Sequence, residues 1–430
     1  MKMTKQFIHL KKWLFFLLLI GVGGVACGPK GGSSNNQKNN SDSIAIRPTQ
    51  IENVNVYLEN SGSMDGYVKG NTGFEQSIYA YLTDLQISKL VDTLNLNYIN
   101  SRVIPLGYDV EKFIHNIEPV DFQQHGGNLS TSDIAIVLDS ILKLHKKEDI
   151  SIFISDCIVS PGNKYASSPQ SLNNYLLEQR TKIKKSFVQT LERVGGDFAV
   201  VICQLNSLFD GRFYNKYDCP KYYKGNRPFY IWLIGSSSHI KQLVDKVTLK
   251  TLQGNGAEFE NVYTLLALSK KDVDYRVILG SGTFDLDRDN PKTTICNIKK
   301  DSRGQKNGLF RFSIGVNLSQ LPLDKGYILN VSNYEINNKD YSLSIKEQKE
   351  GRFSHIFYLT SKVASRGNIM ITLKNRFPQW VENKTDFLGD DLEQDGAVGR
   401  TYGLKYLIEG VYDAFTIRQK NYAEFKITIK

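Results

Sequence analysis

Histidine and cysteine are scarce in this chain, with six and five among 430 residues. The histidines are scattered, so no Cys/His/Asp or Ser/His/Asp constellation for nucleophilic catalysis stands out. Beyond Cys27, the cysteines Cys157, Cys203, Cys219 and Cys296 lie 46, 16 and 77 positions apart, which matches no zinc pattern. Lys and Arg nowhere gather into a cluster interleaved with aromatics, which argues against nucleic acid as a partner. The longest apolar run, Trp13 to Ala26, has 14 residues and is too short for a typical membrane span. No internal repeat is evident. What is present is an ordinary globular composition, 41% hydrophobic and 23% charged, at a length that suits one to three domains.

The formal charge is +10. Lys2, Lys5, Lys11 and Lys12 precede Cys27 with no acid among them, so +10 less those four lysines leaves +6 for the rest. "MKMTKQFIHLKK" followed by "WLFFLLLIGVGGVAC" reads as a basic region and an apolar core of an export signal. The cysteine directly after "GVA" makes the run similar to a bacterial lipoprotein signal, although Gly24 stands where that pattern prefers Leu. The resemblance implies a signal peptide over 1–26, lipid on Cys27, and an anchor in the envelope of a Gram-negative bacterium, at the outer membrane facing the periplasm. The alternative is ordinary cleavage after Ala26. Residues 27–49, with "GPKGGSSNNQKNNSDS", form a flexible polar tether. Export permits disulfides. Cys157 and Cys203 each sit in an apolar run, where free buried cysteine is the common case. A Cys157–Cys219 bridge is conceivable and not derivable.

From Ile51 to about Lys250 strand and helix periods alternate. "NVNVYLE", "DISIFISDC", "DFAVVICQL" and "RPFYIWLIGS" are apolar runs. Between or after them come helical spacings from Gly73, Ser132, Ser171 and Ser238, and "LNLNYINSRVIPLGY" reads as two strands with a turn near Asn100 and Ser101. Apolar strands separated by helices predict an α/β doubly wound, mostly parallel sheet covered on both faces, over residues 50–250. In such a sheet ligands sit beyond the carboxyl ends of the strands.

Three loops reach that edge. "VYLENSGSMDGYV" brings Glu59, Ser61 and Ser63; "FISD" brings Asp156; "GGNLSTSD" brings Ser130, Thr131 and Asp133. Carboxylates and hydroxyls of this kind are hard oxygen donors suited to Mg²⁺. The pattern resembles a von Willebrand factor A (vWA) domain with its metal-ion-dependent adhesion site, whose motif reads Asp-x-Ser-x-Ser, then Thr, then Asp. "ENSGSM" departs at its first residue, where Glu59 stands for Asp. The resemblance covers roughly residues 51–250. It implies a Rossmann-like fold and a Mg²⁺ site, or Mn²⁺ or Ca²⁺, built from Glu59, Ser61, Ser63, Thr131 and Asp156. Ser130, Asp65 and Asp133 are further candidates. The ion would engage an exposed acidic residue of a protein partner.

Other acidic stretches are weaker. "FDLDRDNP" places Asp285, Asp287 and Asp289 at alternate positions, but Asn290 and Cys296 stand where a calcium loop needs Gly and an acid, so a solvated turn is expected. "DFLGDDLEQDG" reads as a polar connector. Residues 255–430 switch to short alternating runs with Gly/Asn/Asp turns, predicting a β-rich, β-sandwich-like domain with one C-terminal helix in "YGLKYLIEGVYDAF". No histidine lies in the three edge loops, and no catalytic residue is assigned: the expectation is a binding protein, not an enzyme. The alternative is a metal-independent structural or assembly component of the cell envelope.

Overall fold

Nine residues from Ile51 to Glu59 open the architecture as strand β1, with Val54, Val56 and Leu58 buried toward one side and Tyr57 and Glu59 toward the other. Burial on both faces begins at Val56, after the half-buried Asn53 and Asn55, and there the run turns apolar until its last residue. The computed structural model describes residues 51–70, 72–125, 133–253, 257–268, 273–302, 304, 307–389 and 397–430. The expected signal peptide, Cys27 and the tether lie outside the described residues, as do Ser130 and Thr131.

Helix α1 (Gly73–Ser88) starts where Thr72 accepts the Glu75 N–H at 3.3 Å. It ends at Lys89, whose φ of 51° is left-handed. Phe74, Ile78, Tyr81, Leu82 and Leu85 make its buried stripe. Strands β2 (Val91–Ile99) and β3 (Val103–Gly107) form a hairpin. Short helices α2 (Val110–His115) and α3 (Pro119–Gln124) follow. Helix α4 (Ile134–Leu144) leads into β4 (Ile150–Ser155). A one-turn helix α5 (Asn163–Ala166) precedes the long α6 (Pro169–Val194), capped by Ser168 with Pro169 in its first turn. Then come β5 (Phe198–Tyr214), β6 (Pro220–Gly235), α7 (Ser237–Lys246) and β7 (Glu258–Ala267).

These seven strands form one sheet in the order β3-β2-β1-β4-β6-β5-β7. Strands β1, β2, β4 and β5 run one way and β3, β6 and β7 the other. The α/β expectation holds at that level, with a difference in detail. Only β2-β1-β4 pair in parallel; β5 and β6 form an antiparallel hairpin whose return strand inserts beside β4. The physical reason is connection length. Residues 215–219 are too few for the crossover that a parallel neighbour needs, and Asp218 turns the chain at φ 60°.

Helices cover both faces. Apolar side chains of α1 and α7 pack with Val54, Val56 and Leu58, while those of α4 and α6 pack with Tyr57 and Phe153. The remaining elements are β8 (Tyr275–Val277), β9 (Asp285–Leu286), β10 (Thr294–Cys296), β11 (Phe310–Val316), α8 (Lys325–Leu329), β12 (Tyr334–Ile336), β13 (Tyr341–Glu347), β14 (His355–Ser361), β15 (Gly367–Lys374), α9 (Gln379–Asn383), β16 (Thr385–Asp386), β17 (Thr401–Tyr402), α10 (Leu404–Arg418) and β18 (Asn421–Ile429). A five-stranded sheet β12-β15-β18-β10-β9 faces a four-stranded sheet β13-β14-β11-β8. Phe357 of β14 meets Phe425 of β18 across the gap at 5.6 Å between ring centroids. Asp287 accepts the backbone N–H groups of Asp289 and Asn290 at 3.2 and 3.0 Å, so the alternate-aspartate stretch forms a turn.

The boundary expected near residue 250 does not coincide with the edge of the large sheet. Strand β7, from beyond that boundary, is the sheet's seventh strand. Helix α10 lies on α6, where Arg180 pairs with Glu409 and Asp413 at 2.8 Å each. The approach is close: a Cβ on Gly410 would stand 2.7 Å from the Arg180 carbonyl. The described residues from 51 to 430 form one compact unit.

At the amino edge of the sheet, His145 follows α4 and is 1% exposed, its Nδ1 2.9 Å from Ser151 Oγ. Burial, with Arg193 of α6 and His239 of α7 nearby, pushes its pKa down to about 3. The folded form therefore holds His145 neutral while the unfolded chain protonates it below about 6.5. This share of stability is present above pH 6.5 and falls as pH drops toward 3, by on the order of 1 kcal/mol per pH unit. The His145→Asn variant should show a shallower loss between pH 6 and 5 in urea unfolding. An unchanged slope would refute the assignment.

Candidate functional site

The turn after β1 is fixed from beneath. Met64 N–H donates to the Ser61 carbonyl, and Tyr67 N–H to the Met64 carbonyl, both at 3.0 Å. Met64, Tyr67 and Val68 are fully buried. The Tyr67 hydroxyl donates to the Pro228 carbonyl at 2.5 Å, and its ring lies 5.0 Å from Phe209 and 5.4 Å from Phe74. These anchors leave the polar side chains Ser61 and Ser63 at the carboxyl edge, with their hydroxyl oxygens 3.0 Å apart.

Asp156 reaches the same place from the end of β4. It is 1% exposed; Oδ1 accepts the Ile158 N–H at 3.1 Å, and Oδ2 has no hydrogen-bond partner among the described residues. Burial raises its pKa; the Ile158 N–H, the Ser63 hydroxyl and the Arg227 charge act the other way. Strands β1 and β4 are parallel neighbours, so the Ser61–Ser63 loop and Asp156 leave the sheet at the same edge.

Glu59 is also 1% exposed, but the structure directs it differently. Its Oε2 accepts a hydrogen bond from Ser155 Oγ on the neighbouring strand. Ser155 in turn accepts the Cys157 N–H at 2.7 Å. The Glu59 carboxylate lies on the Tyr57 side of the sheet, and Glu59 and Asp156 each push the Cys157 thiol pKa upward, behind the larger effect of burial. Cys157 has φ 55°, a left-handed conformation rare for a side chain other than Asn, Asp or His. This strained backbone sits one residue past Asp156. Cys157, Cys203, Cys219 and Cys296 are all free thiols, so no Cys157–Cys219 bridge forms.

The further candidates divide. Asp133 caps α4, accepting the Ile136 N–H at 3.2 Å, and is tied to α6 by Gln179 at 3.2 Å and Lys182 at 3.5 Å. Those contacts give it a structural role as a helix cap. Asp65 is half-buried in the turn that follows Ser63. Ser130 and Thr131 lie outside the described residues, so their placement is not part of this geometry.

Two features of the site lie outside the sequence expectations. The first is Arg227, 1% exposed, which crosses the rim from β6. Its Nη1 donates to the carbonyls of Val398, Arg400 and Ala397 at 2.9, 3.2 and 3.3 Å, and its guanidinium lies 4.8 Å from the Phe213 ring. The second is the β5–β6 hairpin, whose one signal, the short "NKYDCP" turn, went unrecognised; it projects beyond Ser155 and lies on the Ser61–Tyr67 turn. Asp210 N–H donates to the Gly66 carbonyl at 2.8 Å. A Cβ on Gly211 would stand 2.5 Å from Gly66 Cα, so both positions need glycine. Asp210 is held there by Lys69 and Lys224 at 3.0 Å and by the Tyr222 hydroxyl at 2.5 Å.

Chemically, the edge offers hydroxyl oxygens and a buried carboxylate oxygen, Asp156 Oδ2, with no hydrogen-bond partner among the described residues. Among the described residues no group of three His, Cys, Asp or Glu side chains gathers to hold a metal, so any ion here would rely on Ser61 and Ser63 with Asp156. That donor set is hard and fits Mg²⁺ better than a soft metal. The Oδ2 atom of Asp156 is the observation that makes the fit: buried carboxylate oxygens are costly without a partner. Fold and site together define a mixed α/β protein with an oxygen-lined carboxyl edge, joined to a β-rich part. Comparison with family models, curated proteins and solved structures found no match.

Proposed function

We propose that this chain is an exported binding protein, anchored through lipid on Cys27, whose vWA-like part uses a divalent cation to engage a carboxylate of a protein partner. Ser61, Ser63 and Asp156 would hold the ion, with Thr131 as the expected fourth donor. Glu59 would supply charge from behind Ser155. The ion would supply an electrophilic position for the partner's Asp or Glu. The chain's own part is to fix the hydroxyls through Met64 and Tyr67 and to keep Asp156 out of water, where its charge acts strongly. The supporting observation is the buried Asp156 Oδ2, without a hydrogen-bond partner among the described residues, beside the Ser61–Ser63 pair.

One observation favours the second reading, a metal-independent component of the envelope. Arg227 already places a buried positive charge near Asp156, which competes with a cation for the same carboxylate. Thermal unfolding with and without Mg²⁺ separates the two. On the first reading Mg²⁺ raises Tm in the wild type, and Ser61→Ala removes that response while leaving the metal-free Tm within a few degrees. A wild-type Tm indifferent to Mg²⁺ favours the second. Membrane pelleting that survives Cys27→Ser would refute the lipid anchor.

A further inference from the structure

We propose that the cavity where β7 meets α8 and α9 is a saccharide-binding site, independent of the cation site and of any partner engaged there. The cavity measures about 440 Å³, within the range of small-ligand sites, about 300–1,000 Å³. Tyr263, Tyr327, Phe377 and Trp380 give it aromatic walls, and Asp324 and Arg376 stand among its polar lining.

The walls are fixed. The Tyr327 hydroxyl donates to the Lys374 carbonyl at 2.7 Å and accepts the Arg376 N–H at 3.1 Å. Phe377 packs edge-on to Tyr263 at 6.3 Å and to Tyr412 at 5.5 Å between centroids. Asp324 uses one oxygen to cap α8, accepting the Tyr327 N–H at 3.2 Å. Two donors are left over. Trp380 Nε1 is buried without a hydrogen-bond partner among the described residues. The Arg376 guanidinium is exposed and makes no hydrogen bond to a described residue; its charge acts weakly on Glu335.

A sugar ring has a face of C–H groups and a rim of hydroxyls that both donate and accept. Aromatic faces cover the first. The second needs donors and acceptors set side by side, here Trp380 and Arg376 on the donor side and Asp324 on the acceptor side. A purely apolar ligand would leave the Trp380 N–H unpaired in a dry site, which disfavours it. An inorganic anion would make no use of four aromatic walls. A second cavity of about 520 Å³ shares Arg376 and Phe377 and runs on past Asn375 to Lys420 and Tyr412. Two cavities meeting at one pair of side chains suit a chain of sugar units rather than a single ring.

The test uses the full protein and ladders of cello-, malto-, chito- and galacturono-oligosaccharides of two to six units, first on a printed array, then by tryptophan fluorescence for the proteins that keep Trp380 and by isothermal titration calorimetry for Trp380→Ala. The chain has three tryptophans. Trp232 is fully buried in the core and Trp13 belongs to the expected signal peptide, so a fluorescence change reports Trp380. The expected result is binding of at least one ladder, with affinity falling about tenfold or more in both Trp380→Ala and Arg376→Ala. Arg376 is exposed, so its variant keeps the fold. No binding to any ladder, or binding indifferent to both substitutions, overturns the proposal.

Discussion

Replacing Arg227 with methionine is expected to lower the unfolding free energy by about 3–5 kcal/mol, because breaking a buried charge network strands its partners. Three backbone carbonyls between Ala397 and Arg400 lose their donor. Asp156 loses the nearby positive charge that favours its ionised form. The segment that includes Thr401, whose hydroxyl accepts from Tyr230 at 3.0 Å, loses one of its ties to β6. Adding Asp156→Asn to Arg227→Met should recover part of the loss, since neighbouring charges are not additive. Urea unfolding of the two variants and their combination measures this. A loss below about 1 kcal/mol would mean that Arg227 is not the ion that organises the rim.

Phe415→Ala is expected to cost about 3–5 kcal/mol as a large-to-small core substitution. Phe415 of α10 is fully buried, with its ring 6.3 Å from both Phe187 of α6 and Phe198 of β5. The stronger expectation concerns cooperativity. The helix comes from the far end of the chain yet packs on the first half, so the variant should still unfold in one transition, with probes in both halves moving together. Two separated transitions would show that the β-rich part holds itself together without the large sheet.

How much of this could be read from residues alone depends on whether the governing contact is local. The β1 to β4 order was legible: each run is dense in apolar residues toward its carboxyl end, turns fall at Asn100 and Ser101, and helix starts carry Asp133 or Ser168 as caps. The antiparallel insertion of β6 was not recognised, although "NKYDCP" between two apolar runs is a turn too short for a crossover. Strand β7 was missed because "VYTLLA" looks like any buried strand, and nothing local says which sheet it joins. Helix α10 was expected from "YGLKYLIEGVYDAF", but nothing local says that it packs on α6. The two serines and Asp156 were legible because each follows directly from a strand end. Arg227 was not, because a lone arginine at the start of an apolar strand gives no sign that it will be buried. Ser155 stands next to Asp156 in "FISD", and its role depends on Glu59 lying across the strand pair, a register that sequence does not display.

The cation proposed at the carboxyl edge, on Ser61, Ser63 and Asp156, can be titrated. Isothermal titration of Mg²⁺ into the metal-stripped protein tests its binding most directly. One saturable site per chain is expected, lost in Asp156→Ala and in Ser61→Ala while both variants stay folded by circular dichroism. Absence of saturable binding in the wild type, or binding that persists in both folded variants, would contradict it.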